Sequence, residues 1–261
     1  MRWYEALSTL VRIALAVAAV GPLGARAAAG AELRVLAAGA TESTVRAVAA
    51  EFEARSGTRL RLSFGGVGAL RDRVTSGEGA DVLVATPAAL EPLVAKELVR
   101  PGSRVDLGRV GGGLAVRAGE PRPAVGSPEE LKKALLAAEE VYYPDPASTT
   151  AGAHLLAVAD GLGVGAEVRR KGRTSAGGRA AMELMGGSRT RALGATQISE
   201  IRSVPQVELV GPYPPSLQKM TTYSGVVLKG AERADAAAAF LAFLASPPVQ
   251  ARFREAGFEG M

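Results

Sequence analysis

From Glu32 onward the chain alternates short apolar runs with segments whose apolar residues recur at helical spacing, and this alternation limits the fold more than any other feature. LRVLAAGA reads as a strand, and TESTVRAVAAEFEARSG carries Val45, Val48, Ala49 and Phe52 at helical spacing before Gly57 stops it. TRLRLSF is a second strand, ALRDRVTSG a helix, ADVLVAT a third strand, and TPAALEPLVAKEL a helix opened by Thr86 with Pro87 in its first turn. Strand, helix, strand in this order requires parallel neighbours joined by right-handed crossovers. The first part of the chain is therefore expected to be an α/β sheet.

A second α/β unit follows. GRVGGGLAVRAG is strand-like, and SPEELKKALLAAEE opens with Ser127, Pro128 and Glu130 in capping-box order. VYYPDP, RALGATQIS, VELVGPYP and TTYSGVVLKG read as strands, and TTAGAHLLAVADGLG and GGRAAMELMGG as helices. ADAAAAFLAFLASPPVQARFREAGF reads as two closing helices, the second restarted at Ser246 and Pro247. With no flexible linker between the units, strands near residues 109–118 and 220–228 are expected to cross directly from one lobe to the other. The expected organisation is lobe 1 over residues 30–110 plus 224–261 and lobe 2 over residues 111–223. Each lobe is a mainly parallel sheet flanked by helices, and two crossing hinge strands join them.

Residues 1–29 read differently. Arg2 and Arg12 flank or interrupt the apolar run LSTLVRIALAVAAVGPLG, and ARAAAG supplies a small-residue cleavage site after Ala27 or Ala29. This pattern predicts a secretory signal and a soluble mature protein in the periplasm. Cleavage leaves about 230 residues, enough for two lobes with a substantial core. The chain has no cysteine, so neither disulfides nor cysteine metal sites hold it together. The net charge of +5 falls when Arg2, Arg12 and Arg26 leave with the signal, and the remaining basic residues are scattered among acidic ones with few aromatics. No nucleic-acid partner is expected.

In a parallel α/β sheet the ligand crevice lies outside the carboxyl ends of the strands, where helix-opening N–H groups lack intrahelical partners. Glycine there lets an anion approach the backbone directly. GGVGAL at residues 65–70 has this form, and AAGATES, DPASTTAG and TSAGGR repeat the arrangement. Four helix starts, two in each lobe, are thus expected to converge on one crevice. Taken one at a time, Thr41, Ser43 and Thr150 read as plain helix caps.

These residues resemble a family. VLAAGA, GAL, ADVLVAT, GRVGGGLAVRAG, YPDPASTTAG, LGATQISEI, VELVGPYP and YSGVVL, in this order, are similar to the molybdate-type periplasmic substrate-binding proteins of ABC transporters, across essentially the whole mature chain. The resemblance implies a two-lobed periplasmic-binding-protein fold of type II, a monomer closing on a small oxyanion such as molybdate or tungstate, and an ABC permease in the inner membrane as partner. It implies no catalysis, no metal and no cofactor. Carried over residue by residue, it places the ligand among Ala40, Thr41, Gly68, Ala69, Thr150, Ala151, Gly177, Gly178 and Gln197. The family usually has serine at the positions of Ala40 and Gly68, and many members have tyrosine at Gln197. Each lost donor to a buried oxyanion costs about 1–3 kcal/mol. A small carboxylate or other organic anion is therefore the first alternative ligand, and an extracytoplasmic sensor module the second alternative function.

His154 is the only histidine, which excludes a metal site built on histidines, and no G-x-S-x-G elbow is present. It reads as a partly packed helix residue beside the cleft. Asp145 and Glu200 read as solvated or capping carboxylates, and Tyr142, Tyr143 and Tyr223 as core positions. An enzyme is the most distant reading.

Overall fold

The structure is a computed structural model and describes residues 32–260. The signal sequence expected over residues 1–29 lies outside the described residues. The chain runs β1 (Glu32–Ala38), α1 (Glu42–Ser56), β2 (Arg59–Gly65), α2 (Val67–Thr75), β3 (Val82–Ala85), α3 (Pro87–Ala95) and the long β4 (Val105–Arg117). It continues through α4 (Pro128–Ala137), β5 (Glu140–Pro144), α5 (Thr150–Gly161), α6 (Gly165–Lys171), β6 (Gly172–Ser175), α7 (Gly178–Gly186), β7 (Ala192–Gln197) and α8 (Ile198–Arg202). β8 (Val207–Pro212), β9 (Met220–Val227), α9 (Ala234–Leu244), α10 (Pro247–Glu255) and β10 (Phe258–Glu259) complete it.

Strands lie in the order β2-β1-β3-β9-β4-β7-β5-β6, with β8 and β10 also paired to β4. β1 pairs in parallel with β2 and β3, and β5 with β6 and β7, as the crossover pattern predicts. The sheet as a whole is mixed, because β4, β8, β9 and β10 enter antiparallel. β4 carries the junction. Its first half pairs with β9 from Val105↔Gly225 to Gly111↔Met220, and its second half pairs with β7 from Gly112↔Gln197 onward. At the changeover the Gln218 amide stands in for a strand neighbour, accepting from Gly112 N–H at 3.0 Å and donating to Gly112 O at 2.9 Å.

The buried apolar residues divide on either side of that junction. Leu33, Val35, Val45, Phe52, Val110, Phe240, Leu244 and Phe253 pack one face of the β1-side sheet, and Leu36, Leu70, Leu83, Leu90 and Leu93 pack the other. Leu114, Leu131, Leu135, Leu155 and Leu193 form the corresponding layer in the second lobe, backed by Met182, Met185 and Ile201.

Local signals act where the sequence places them. Gly57 ends α1 in the left-handed region at φ 67°, and Ser127 and Glu130 close a reciprocal capping box on α4. Other details differ. LGATQIS is not strand throughout: β7 stops at Gln197 and a five-residue helix begins, which lets the Ser199 hydroxyl reach Ala40 O at 2.8 Å. Thr41 does not cap α1, since its hydroxyl donates backwards to Ala38 O at 2.8 Å. The cap of α5 is Thr149, whose Oγ1 accepts from Gly152 N–H at 3.2 Å, and not Thr150.

Candidate anion site between the lobes

The four glycine-bearing starts do meet. A cavity of about 20 Å³ is walled by Ala38–Ala40 ahead of α1, Gly65–Val67 at the start of α2, Thr149–Ala151 at the start of α5, and Gly177 and Gly178 at the start of α7. Pro144, Gln197, Glu200 and Tyr223 complete its wall. By the measure that about 10–15 Å³ of such space holds one water, this is roughly one water's room. The lobes are closed onto each other: Gly68 N–H donates to Ser148 O at 3.0 Å across the cleft, and a Cβ on Gly66 would stand 2.7 Å from that same carbonyl oxygen. Any ligand larger than a few atoms enters only when the lobes part.

Of the nine residues that the family resemblance points to, Ala40, Thr150, Ala151, Gly177, Gly178 and Gln197 line this cavity. Gly68, Ala69 and Thr41 do not. Because α2 begins at Val67, its first turn brings Gly65 and Gly66 to the cleft instead, commits the Gly68 amide to Ser148 and leaves Ala69 exposed. Thr41 is fully buried behind the wall. Asp145 ties the DPAS turn, accepting from Ala147 N–H at 3.1 Å and Ser148 Oγ at 2.9 Å. Tyr142 and Tyr143 are core residues, whereas Tyr223 is both buried and part of the cavity wall.

A second, smaller cavity of about 10 Å³ adjoins the first and shares Thr150, Ala151 and Gln197 with it. His154, Tyr213, Thr221 and the exposed Lys219 line its far side. The His154 ring meets Tyr213 edge-on at 5.1 Å between centroids, and its Nε2 lies 2.9 Å from Leu217 O. A carbonyl partner requires Nε2 to carry the proton, which leaves Nδ1 as the acceptor. Burial pushes the His154 pKa below its ordinary value, with the Leu217 carbonyl opposing and Lys219 adding to the fall. The unfolded chain therefore binds a proton that the folded protein refuses, and stability falls as pH drops through about 6.5, levelling off below the folded pKa. Unfolding followed at pH 7.5 and pH 5.5 is expected to show a smaller acid-side loss for His154→Gln than for the unaltered protein. An equal loss would remove His154 from the account.

The capping reading of Glu200 holds, since it closes a capping box with Gln197 on α8, but sequence reasoning missed its burial. The residue is 6% exposed, and its Oε2 accepts from Thr196 Oγ1 at 2.5 Å and Gln197 N–H at 3.4 Å, with Gly178 N–H as a further donor. Oε1 faces Gly39, 2.8 Å from where a Cβ would stand there. Among the described residues it has no ion-pair partner; desolvation raises its pKa above the ordinary carboxylate value, the three hydrogen bonds oppose this, and the like charge of Glu42 adds to it. Burial without a cation favours the neutral acid. Among the described residues no three His, Asp or Glu side chains gather where they could hold a metal ion.

Two lobes around an interlobe cavity lined by helix starts have the architecture of a solute-binding protein. The chain belongs to the bacterial extracellular solute-binding protein family, whose model matches residues 33–259. A Pseudomonas relative, aconitate isomerase, is 32% identical over 233 residues, covering 87% of each chain. Among solved structures, a periplasmic molybdate-binding protein of Azotobacter vinelandii superposes with a TM-score of 0.73 at 18% identity, covering 87% of this chain and 98% of its own. A sulfate-binding protein of Mycobacterium tuberculosis gives 0.71 at 19%, covering 88% and 87%. Likeness at this identity establishes the fold.

Proposed function

We propose that this protein captures a small polycarboxylate between its lobes in the periplasm and presents the closed form to an ABC permease. The observation that carries this reading is the pair of adjoining cavities. One lies under four glycine-bearing element starts and the other lies against His154 and Lys219, so two separated anionic groups of one molecule can be met together once the lobes part far enough to widen both. A single tetrahedral oxyanion uses only the first. The absent hydroxyl at Ala40 and the diversion of Gly178 and Gln197 amides to Glu200 weaken that cavity for molybdate. The Pseudomonas aconitate isomerase to which the chain is 32% identical is named for a tricarboxylate, which points the same way.

In this reading lobe 1 comprises residues 30–110 plus 224–261 and lobe 2 residues 111–223, with β4 and β9 as hinge strands. The protein acts as a monomer without metal or cofactor. Helix-start donors from both lobes reach the ligand only on closure, so binding shifts an open–closed equilibrium.

Thermal unfolding with molybdate, tungstate, sulfate, citrate and both aconitates tests the ligand. A polycarboxylate at a hundred times its dissociation constant is expected to add about 2.7 kcal/mol of stability. A response confined to molybdate and tungstate would replace the polycarboxylate with the oxyanion.

A further inference from the structure

The main cavity holds one group that capture alone does not require. A buried carboxyl offers an anion no attraction, and its structural role here, closing a capping box with Gln197 at the start of α8, uses Oε2 alone and leaves Oε1 over. Yet Glu200 stands in the wall where the two lobes meet: it is carried by α8 of the second lobe and packs against Gly39 of the first. Its two oxygens are unequal. Oε2 takes the hydrogen bonds of Thr196 Oγ1 and Gln197 N–H, which fix the carboxyl plane, while Oε1 is turned to the Gly39 side of the cavity. Such an arrangement holds a proton-exchanging oxygen in a set direction inside a water-poor space, the geometry that acid–base chemistry on a bound molecule needs.

Resting on the polycarboxylate reading, we propose that Glu200 is a catalytic acid–base which moves a proton between two carbons of a bound unsaturated polycarboxylate. In its ionised form the carboxylate takes a proton from a CH₂ lying between a carboxylate and an alkene carbon. The C–H electron pair enters the three-carbon allylic system and is spread onto the flanking carboxylates. The carboxylic acid so formed returns the proton to the far carbon of the three, and the double bond ends one position along. No electron leaves the molecule and no co-reactant is consumed. Desolvation, which raises the affinity of Glu200 for its proton, makes its ionised form the stronger base. Lys219 and the starts of α5 and α2 hold the outer carboxylates while charge builds on them.

The test uses trans-aconitate in D₂O. NMR follows deuterium entering the CH₂ and any cis isomer formed, while calorimetry measures binding of the same compound. The unaltered protein is expected to catalyse exchange, and Glu200→Gln, which keeps the shape and one acceptor oxygen, to slow it at least about 100-fold with little change in dissociation constant. Binding without exchange in the unaltered protein, or equal exchange in Glu200→Gln, overturns the proposal and leaves the capture reading standing. Absence of binding by trans-aconitate, cis-aconitate and citrate alike defeats the capture reading itself. If circular dichroism shows that Glu200→Gln does not fold, Glu200→Asp decides: it keeps the carboxyl but withdraws it by one methylene. A slowed rate supports the role and a full rate overturns it.

Discussion

A Gly66→Leu variant is expected to fold as the unaltered protein does and to lose ligand affinity by roughly a hundredfold. Gly66 has φ −65° and ψ 141°, values open to any residue, so leucine meets no backbone strain there. What it meets is the other lobe. Its Cβ would stand 2.7 Å from Ser148 O and 2.8 Å from Thr149 Cγ2, and the nearer contact is main chain, which cannot swing aside. The lobes must stay apart, and the Gly68 N–H to Ser148 O bond is lost with them. Overpacking of this kind costs about 3 kcal/mol at its upper end, which equals about two decades in the dissociation constant when only the closed state binds. Calorimetry with citrate or aconitate reads the affinity, and small-angle scattering reads the radius of gyration. Native affinity together with a native compact form would show that the lobes tolerate a side chain at this point and that closure is not as tight as described.

Phe240→Ala is expected to destabilise the protein by about 3–5 kcal/mol. Phe240 is wholly buried on α9 and meets the Phe52 ring of α1 edge-to-face, with centroids 4.9 Å apart. Two helices far apart in sequence thus close one face of the first-lobe sheet through this ring, and removing it leaves a cavity that neither rigid helix can fill. Urea unfolding reads the loss through the shift in midpoint at constant slope. A loss below about 1 kcal/mol would mean that Leu241, Leu244 and Phe243 collapse into the gap.

The fold was legible because its signals are local. Apolar periodicity gave β1 to α3, Gly57 stopped α1, and Ser127 with Glu130 opened α4. Antiparallel entry of β9 and β10 into the first-lobe sheet leaves no local mark, since the residues they join lie more than a hundred positions apart. The site was legible as a set of loops but not as a set of atoms. Which glycine of GGVG faces the cleft depends on where the first turn of α2 starts, and a shift of three residues exchanges Gly68 and Ala69 for Gly65 and Gly66. Thr149 and Thr150 exchange roles at α5 for the same reason. The capping role of Glu200 was legible but its burial was not, because among the described residues it is left without a counter-ion only once Gly39 and Gly178 close around it. Only the assembled chain shows that lack.

The hydrogen bonds that Glu200 receives from Thr196, Gln197 and Gly178 carry a meaning for selectivity. A carboxyl tethered within reach of those donors acts as a ligand at very high effective concentration, and a free anion seeking the same seats competes against it at the modest concentrations of a dissolved solute. The pocket is in this sense already half occupied by the protein's own acid. A guest that wins must bring contacts elsewhere, and the space towards His154 and Lys219 is where a longer molecule finds them. On the proposed polycarboxylate reading, discrimination against the simplest anions then follows from a resident rival more than from any missing donor.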